Sequence, residues 1–336
     1  TARNPISMDF VEQIAVDLTP YDVSRSGATG ATISVVTKSG SNEFDGSVYY
    51  SSRDEGDFGD LPNGDSFPPF KETITNFTLS GPIIEDKLFF FVGYEEFEKT
   101  APFTYGPAGS GALNESDAPA ADFDRIAQVA RDVYGFDPGG YENLSFPETA
   151  EEYVVKLNYN INDDHRVELN YSNKEELNWN NFGLNRFSSV AYSKPPITER
   201  TSINYFGDIT ENLNINATYT YYEFTEDAES NGGLFPEVTV TTDSGDRITL
   251  GGEKYRGANF ISVKNDTYAF KANYQMDDHL ITAGFEYEEG NVQNQFLARY
   301  NGEVRFNNID DFEAGMWSYL RFNVPTAGLE ALDSIT

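Results

Sequence analysis

The sequence predicts an all-β fold, a partial antiparallel transmembrane β-barrel of about nine strands. Three observations lead to this prediction. Side chains alternate in polarity along stretches of roughly ten residues, which is the pattern of strands with one apolar and one polar face. Short polar turns join some of these stretches, and long acidic connections join the others. The two kinds of joint follow each other in turn, as they do in barrels inserted into a membrane from one side.

The clearest predicted strand covers residues 151–161. Tyr153, Val155 and Leu157 lie on one of its faces, whereas Lys156 and Asn158 lie on the other. The same alternation, less regular in places, predicts the remaining strands at 43–53, 73–82, 88–98, 166–172, 199–209, 213–222, 267–276 and 280–288.

The joints between strands differ in length in a regular way. Short turns, rich in Asp and Asn, lie near residues 85, 163, 211 and 278. The connections at 54–72, 99–150, 177–198 and 226–265 are much longer than ordinary loops. A soluble β-sandwich would also alternate in polarity, but it has no reason to place long loops at every second joint. The order of the joints therefore favours the barrel.

The long connections are expected to contain some regular structure. Residues 119–134 carry an apolar stripe at helical spacing, with Asp117 as a candidate N-cap and Gly135 as the stop. Residues 237–250 are expected to form a hairpin. The final residues, 303–336, are expected to form another long loop rather than a barrel strand.

Composition excludes several classes of protein. The hydrophobic share is only 39%, and no stretch approaches the ~20 consecutive apolar residues of a membrane helix, so a helical membrane protein is excluded. The net charge of −32 argues against nucleic acid as a partner, because phosphate binding needs clustered Lys and Arg. The absence of cysteine excludes a thiol nucleophile. An odd number of strands and a start without a signal sequence lead us to interpret the chain as a fragment.

Residues 1–40 do not alternate as a barrel strand would. They predict two short strands, at 11–16 and 32–37, separated by a stretch whose glycines permit tight turns. These glycines do not form a phosphate-binding loop, because no Gly-Lys-Ser/Thr follows at the required spacing.

The next residues carry a specific resemblance. The run SGATGATISVVTKSGSNEFDGSVYY at 26–50 resembles the junction between the plug domain and the first barrel strand of TonB-dependent outer-membrane receptors, in particular the Oar-like branch. The stretches LSGPIIEDKLFFFVGYEEF at 79–97 and GEVRFNNIDDFEAG at 302–315 resemble the same branch, in the family's order. Ala31 stands where the family often has a second glycine, and Ser34 stands where asparagine is common.

The resemblance implies that residues 1–40 are the C-terminal part of a plug domain and that residues 43–336 are the N-terminal part of the barrel. The protein would lie in the lipid of the bacterial outer membrane, with its long loops extracellular and its short turns periplasmic. It would import an unidentified extracellular substrate when the TonB energy-coupling system pulls on the plug. The resemblance also implies a junction between plug and barrel that includes Gly27, Gly30, Lys38, Gly40 and Gly46.

The alternation independently predicts a polar face suited to a hydrated plug or channel. Its residues are Lys156, Asn158, Asn160, Glu168, Asn170, Thr218, Thr220, Lys271, Asn273 and Gln275.

Two other functions stay open, namely an ungated outer-membrane porin and a secreted or surface β-protein that binds glycan or mediates adhesion. An enzyme is the least supported class: no catalytic residue and no cofactor site is predicted.

Several side chains allow more than one interpretation. His165 and His279 lie in matching turns and are interpreted as turn chemistry. Asp54, Asp57 and Asp60 are candidate calcium ligands, although their spacing is not that of an EF-hand. Trp179 and the aromatic stretch at 67–70 could contact a ligand or pack between loops.

Overall fold

The largest sheet has nine strands, and a separate two-stranded sheet precedes it in the chain. The computed structural model describes residues 6–18, 30–61, 64, 66–180 and 183–324. A 3-10 helix, Met8–Phe10, leads into an antiparallel pair that is separate from the main sheet, β1 (Val11–Asp17) and β2 (Thr32–Thr37). The main sheet contains β3 (Asp45–Asp54), β4 (Lys71–Ile84), β5 (Leu88–Thr100), β6 (Glu148–Asn160), β7 (His165–Leu177), β8 (Pro196–Thr210), β9 (Leu213–Asp227), β10 (Asn259–Met276) and β11 (His279–Phe296).

The nine strands of the main sheet lie in chain order and every neighbouring pair is antiparallel. The prediction of nine antiparallel strands is therefore confirmed, as are the two short strands before them. β3 and β11 are the edge strands of the open sheet.

The four short turns lie side by side at one end of the sheet. Asp86 and Asp277 have φ of 61° and 50°, a left-handed conformation that Asp tolerates better than most residues. Backbone hydrogen bonds link each turn region to the next. The Asn160 N–H donates to the Lys87 carbonyl at 2.7 Å. In the same way, the Asp208 N–H donates to the Asp164 carbonyl and the Gln275 N–H to the Asn212 carbonyl, both at 2.8 Å. All the long connections therefore leave the opposite end.

The two faces of the main sheet differ in chemistry. The face that contacts the N-terminal segment, here called the inner face, includes buried Glu152 and Lys156. The opposite, outer face exposes large apolar side chains, among them Phe77, Leu79, Tyr153, Tyr159, Ile203, Tyr268, Tyr274, Ile281, Phe285 and Tyr287. An apolar surface of this extent is unfavourable in water and is favourable against lipid.

Several strands are longer than the sequence predicts. The strand predicted at 267–276 begins at Asn259 in the structure. The strand predicted at 280–288 continues to Phe296. Each of these strands has 18 residues, about twice the ~9–11 that a tilted strand needs to cross a bilayer. Where neither face contacts lipid, alternation in polarity is not required, and the sequence signal disappears.

Three of the long connections and the segment that follows β11 fold together around a hydrophobic core. We call the segments 101–147, 178–195, 228–258 and 297–324 the loop domain. Its elements include α1 (Ala120–Tyr134), α2 (Ile309–Glu313), the 3-10 helix Ser188–Val190, and the short strands Tyr105–Ala108, Asn114–Pro119, Trp179–Asn180, Tyr192–Ser193, Glu229–Ser230, Glu237–Thr241, Arg247–Leu250, Glu303–Phe306 and Tyr319–Arg321.

Aromatic contacts join all four segments of the loop domain. Phe123 packs against Phe187 with ring centroids 5.7 Å apart, and Tyr134 stacks on Phe312 at 4.9 Å. Phe136, which follows α1, stacks at 4.0 Å on a phenylalanine from the third segment, Phe235. Arg125 donates to Asp310 at 2.5 Å on the surface of this core. These connections therefore form a packed unit rather than separate loops.

The structure confirms the predicted helix and hairpin of the loop domain, but it moves the helix N-cap. The predicted N-cap, Asp117, lies in the short strand Asn114–Pro119. The N-cap residue of α1 is Pro119, and no side chain accepts a hydrogen bond from the first turn of the helix. Gly135 ends the helix as expected, with φ of 65°. Within the described part of the chain, neither helix has the length and apolarity that crossing a membrane requires.

The two faces predict opposite responses to a new charge at neighbouring positions. Leu157→Arg places a cation on the outer face and should destabilise the protein in phospholipid vesicles by about 2–4 kcal/mol if the residue lies near the bilayer midplane. Asn158→Arg, one residue along, should cost much less because its side chain lies on the inner face. Urea titrations in vesicles measure both values. Equal losses for the two variants would contradict the assignment of faces.

Candidate functional site

The polar residues singled out in the sequence lie on the inner face. The register forms a row across neighbouring strands, in which Lys156 is opposite Asn170, Asn170 opposite Ser202, and Ser202 opposite Thr220. Asn170 Nδ2 donates to Ser202 Oγ at 3.2 Å. Asn158 is paired with Glu168 in the same register.

Two cavities lie along this face and divide most of the predicted residues between them. One, of about 890 Å³, separates β2 from the sheet and is lined by Lys156, Glu168 and Asn170. The other, of about 840 Å³, lies near the short turns and is lined by Asn160, Lys271, Asn273 and turn residues. Thr218 donates to Asn204 Oδ1 at 2.9 Å, and Gln275 donates to the Asp277 carbonyl at 2.6 Å.

A row of polar side chains holds the N-terminal segment against the inner face. Adjacent strands place Asn76 opposite Glu95 and Glu95 opposite Glu152. The Ser7 backbone N–H donates to Glu152 Oε2 at 3.0 Å, and the Ser7 hydroxyl donates to Glu95 Oε2 at 2.5 Å. Lys156 Nζ donates to the Thr37 carbonyl at 3.3 Å, at the end of β2. These contacts are charge-assisted, so each is stronger than a neutral hydrogen bond.

An apolar contact accompanies these hydrogen bonds. The Phe10 side chain is fully buried against Phe91 and Val154, with the two phenyl centroids 6.3 Å apart. Gly93 makes room for the ring, since a Cβ at this position would lie 2.5 Å from Phe10 Cε1. A side chain at position 93 would therefore displace the ring.

Four of the five residues assigned to the junction are described by the structure, and Gly27 lies outside the described residues. The Lys38 N–H donates to the Phe10 carbonyl at 2.9 Å. Gly40 approaches the main sheet so closely that a Cβ would lie 2.3 Å from the Phe90 carbonyl oxygen. Gly46 lies in β3 next to Thr78, whereas a Cβ at Gly30 would meet open space. At Gly40 the chain therefore passes directly against the backbone of β4 and β5.

The candidate calcium ligands and His165 form hydrogen bonds with neighbouring protein groups. Asp54 Oδ1 accepts from the Gly56 N–H at 2.9 Å and Asp57 Oδ2 accepts from the Asp54 N–H at 3.0 Å, so both carboxylates cap a 3-10 helix, Glu55–Asp57. No group of three or more potential metal ligands occurs among the residues that the structure describes, including those around Asp60. His165 Nδ1 lies 2.8 Å from the Tyr205 hydroxyl.

The aromatic candidates pack against other rings. The Trp179 centroid lies 4.9 Å from that of Phe146. In the connection between β3 and β4, Phe67 stacks on Phe58 at 4.6 Å and contacts Phe70 edge to face at 5.7 Å.

The loop domain contains a charged network that sequence reasoning did not predict. Glu303 is 1% exposed and accepts from Arg299 at 2.6 Å and from Arg305 at 2.8 Å. Lys254 Nζ lies 3.6 Å from the same carboxylate and donates to Glu237 at 2.6 Å. Burial alone would raise the pKa of Glu303, but the bonds from Arg299 and Arg305 and the charge of Lys254 lower it to about 2. Glu303 is therefore charged at neutral pH.

The only sequence signal for this network was weak. Val238, Val240, Ile248, Leu250 and Phe306 alternate with polar residues and predict strands with one buried face. The charged side chains of the network, such as those of Lys254 and Glu303, come from segments about fifty residues apart in the chain. Alternation within one segment does not reveal contacts of this kind.

Comparisons with known proteins agree with this architecture. A family described as an outer membrane beta barrel domain matches residues 36–107. A curated relative, the TonB-dependent transporter Oar of Myxococcus xanthus, is 29% identical over 179 residues, which cover 49% of this chain and 16% of the relative. The chain therefore spans about a sixth of the length of that relative.

Solved structures resemble the chain at low sequence identity. The Escherichia coli outer membrane transporter YddB has a TM-score of 0.62 and 10% identity, and the match covers 90% of this chain and 38% of YddB. The siderophore receptor PirA of Acinetobacter baumannii has a TM-score of 0.45 and 15% identity, over 80% of this chain and 33% of PirA. The family match, the curated relative and the YddB fold together show that the chain forms an outer-membrane β-barrel fold and lies in the outer membrane.

Removing the buried ring of the N-terminal segment should release that segment from the inner face. Phe10→Ala deletes an apolar contact typically worth about 3–5 kcal/mol, so amide hydrogen exchange in residues 6–16 should speed up strongly. Phe58→Ala is the matched control, because its ring is 42% exposed in a connection between strands. Unchanged exchange in the Phe10→Ala variant would show that the Phe10 ring does not hold the N-terminal segment on the inner face.

Acid should destabilise the loop domain through Glu303. Its pKa is lowered on folding from 4.5 to about 2, so its stabilising contribution is complete above pH ~4.5 and is lost as the pH falls towards 2. Glu303→Gln should cost roughly 3 kcal/mol at neutral pH, because it leaves three cations around an uncharged group. Asp310→Asn, at an exposed pair, should cost under about 1 kcal/mol. Hydrogen exchange in the strand Glu237–Thr241 measures both; equal effects would contradict the role of Glu303.

Proposed function

We propose that this chain is part of a TonB-dependent outer-membrane importer, in which residues 1–40 are the C-terminal part of a plug and the inner face lines the channel. The substrate enters from the side of the loop domain. The short turns lie on the periplasmic side, where TonB acts. Outer-membrane lipid surrounds the apolar outer face.

The observation that supports this proposal most directly is the docking of the N-terminal segment on a polar face. Ser7, Phe10 and Thr37 contact side chains of β5 and β6 that would otherwise face an open channel. A segment that closes a channel must be held firmly at rest and must also be removable. A few charge-assisted bonds and one aromatic contact satisfy both conditions, because a pulling force can break them without unfolding the barrel.

The inner face also offers polar atoms for a further occupant. Within the described residues, the amide oxygens of Asn76 and Asn158 are buried on this face without a hydrogen-bond partner. Buried polar atoms are normally paired with protein or water. This arrangement supports a hydrated interface between plug and barrel.

Conductance in planar bilayers distinguishes a gated importer from an open porin. The whole protein that contains this chain should show no steady conductance, because the segment occupies the channel. The double variant Phe10→Ala and Glu152→Ala should show channel openings, since both kinds of contact are lost. The double variant Phe58→Ala and Asp310→Asn, which changes exposed positions, should stay closed.

Two results would contradict the proposal. A steady conductance of the unmodified protein would favour the ungated porin, and a closed double variant would show that the segment does not control the channel. Energy coupling is measured separately, by retention of the whole protein on the immobilised periplasmic domain of TonB. Absence of retention would contradict TonB dependence and would leave the closed channel unaffected.

A further inference from the structure

The loop domain contains a four-stranded sheet with two different faces. Its strand order is Arg247–Leu250, Glu237–Thr241, Glu303–Phe306 and Tyr319–Arg321. Val238, Val240, Ile248, Leu250 and Phe306 belong to the apolar core that includes residues of α1 and α2. The other face, here called the basic face, is polar and lines a cavity of about 370 Å³. This volume lies within the range of small-molecule binding sites.

The strand register places cations and hydroxyls in one row on the basic face. Arg186 bridges to Thr249, Thr249 is paired with Thr239, and Thr239 with Arg305. With strands about 4.8 Å apart, Arg186 and Arg305 are roughly 14 Å apart at the backbone. Their long side chains can therefore reach a ligand that lies over the two threonines.

The charge balance of the basic face is opposite to that of the chain. The cavity lining contains four cations, Arg186, Arg247, Lys254 and Arg305, and three carboxylates, Glu237, Glu253 and Glu303. Outside the lining, Arg299 forms an ion pair with Glu303, and Arg321 is opposite Glu303 in the strand register. The whole chain has 23 basic and 55 acidic residues. A net positive cavity in so acidic a protein concentrates anions locally.

The carboxylates of the basic face hold the cations in place. Glu303 fixes Arg299 and Arg305, and Glu237 fixes Lys254. Tyrosine rings support the same cations: Arg305 lies 4.7 Å from the Tyr319 centroid, and Lys254 lies 5.5 Å from that of Tyr255. Burial raises the pKa of Glu253 above its ordinary value, and the carboxylate accepts from the Tyr255 backbone N–H at 2.7 Å. Cations held in this way lose little entropy when a ligand binds.

We propose that the basic face binds an oxyanion, a carboxylate or phosphate group of an extracellular molecule, between Arg186, Arg247 and Arg305 with the hydroxyls of Thr239 and Thr249. Guanidinium groups match the planar geometry of both kinds of oxyanion. Binding itself requires neither TonB nor an open channel. The conclusion that the transported substrate carries such a group rests additionally on the proposed function.

Calorimetric titration of the whole protein in detergent, at low ionic strength, tests the site. The probes are citrate and pyrophosphate, with trehalose as an uncharged control. At least one anion should bind, and its affinity should fall as sodium chloride is added. Binding of citrate alone identifies the group as a carboxylate, and binding of pyrophosphate alone identifies it as a phosphate.

Three variants locate the binding. Arg247→Gln removes a cation from the basic face and should weaken binding roughly tenfold or more. Thr249→Val removes a hydroxyl without changing the charge or the size of the side chain, and should weaken binding by several fold. Arg131→Gln is the matched control, because it removes one cation from α1, on the other side of the apolar core, and should bind as the unmodified protein does.

Three results would overturn the proposal: no binding of either anion at millimolar concentration, unchanged binding by both basic-face variants, or an equal loss in the Arg131→Gln variant. Near-UV circular dichroism of each variant shows whether the loop domain is folded. If Arg247→Gln disrupts the fold, the binding measured for Thr249→Val decides whether the basic face is the anion site. A protein that binds an anion but conducts as an open pore would contradict the proposed function and leave this site established.

Discussion

The rest of the structure depends on one constraint, that every backbone N–H and C=O group in a lipid environment needs a partner within the protein. Long antiparallel strands in continuous register meet this requirement, as β4 to β10 do, each with a neighbour on both sides and with two register shifts near the short turns. A strand in such a sheet has only two faces. One must be apolar to contact lipid, which leaves the other free to hold Glu95, Glu152 and Lys156. The chemistry of the inner face is therefore made possible by the pairing of the backbone.

Beyond the membrane this constraint no longer applies, and a different kind of stability takes over. The strands continue past the bilayer and lead into four connections that cannot each bury a core alone. By packing together, they bury a common set of aromatic and aliphatic side chains, with Phe123, Phe187 and Phe312 at its centre. The unit so formed is stiff enough to hold Glu303 and its cations in a fixed arrangement. Loops that pack in this way lose little conformational entropy when they bind a ligand. Independent flexible loops would lose more.

Sequence alone predicted what local pattern controls. The alternation of β6, β7 and β9 placed Lys156, Asn170 and Thr220 on one face, although their role stays a proposal. The same reasoning missed the outer part of β10, because strands in water need no apolar face. It also missed the contact of Ser7 with Glu152, which joins residues 145 positions apart. The basic face was missed for the same reason, since its two threonines and its arginines come from three separate connections of the chain.

Within one strand of the main sheet, alternate residues face the lipid and the inner side of the barrel. Spin labels placed singly at positions 153 to 158 of β6, in the whole protein in lipid vesicles, measure this directly through their accessibility to oxygen. We expect high oxygen accessibility at 153, 155 and 157 and low accessibility at 154, 156 and 158, where the N-terminal segment or polar side chains cover the strand. A smooth profile without a period of two residues would contradict this assignment of faces.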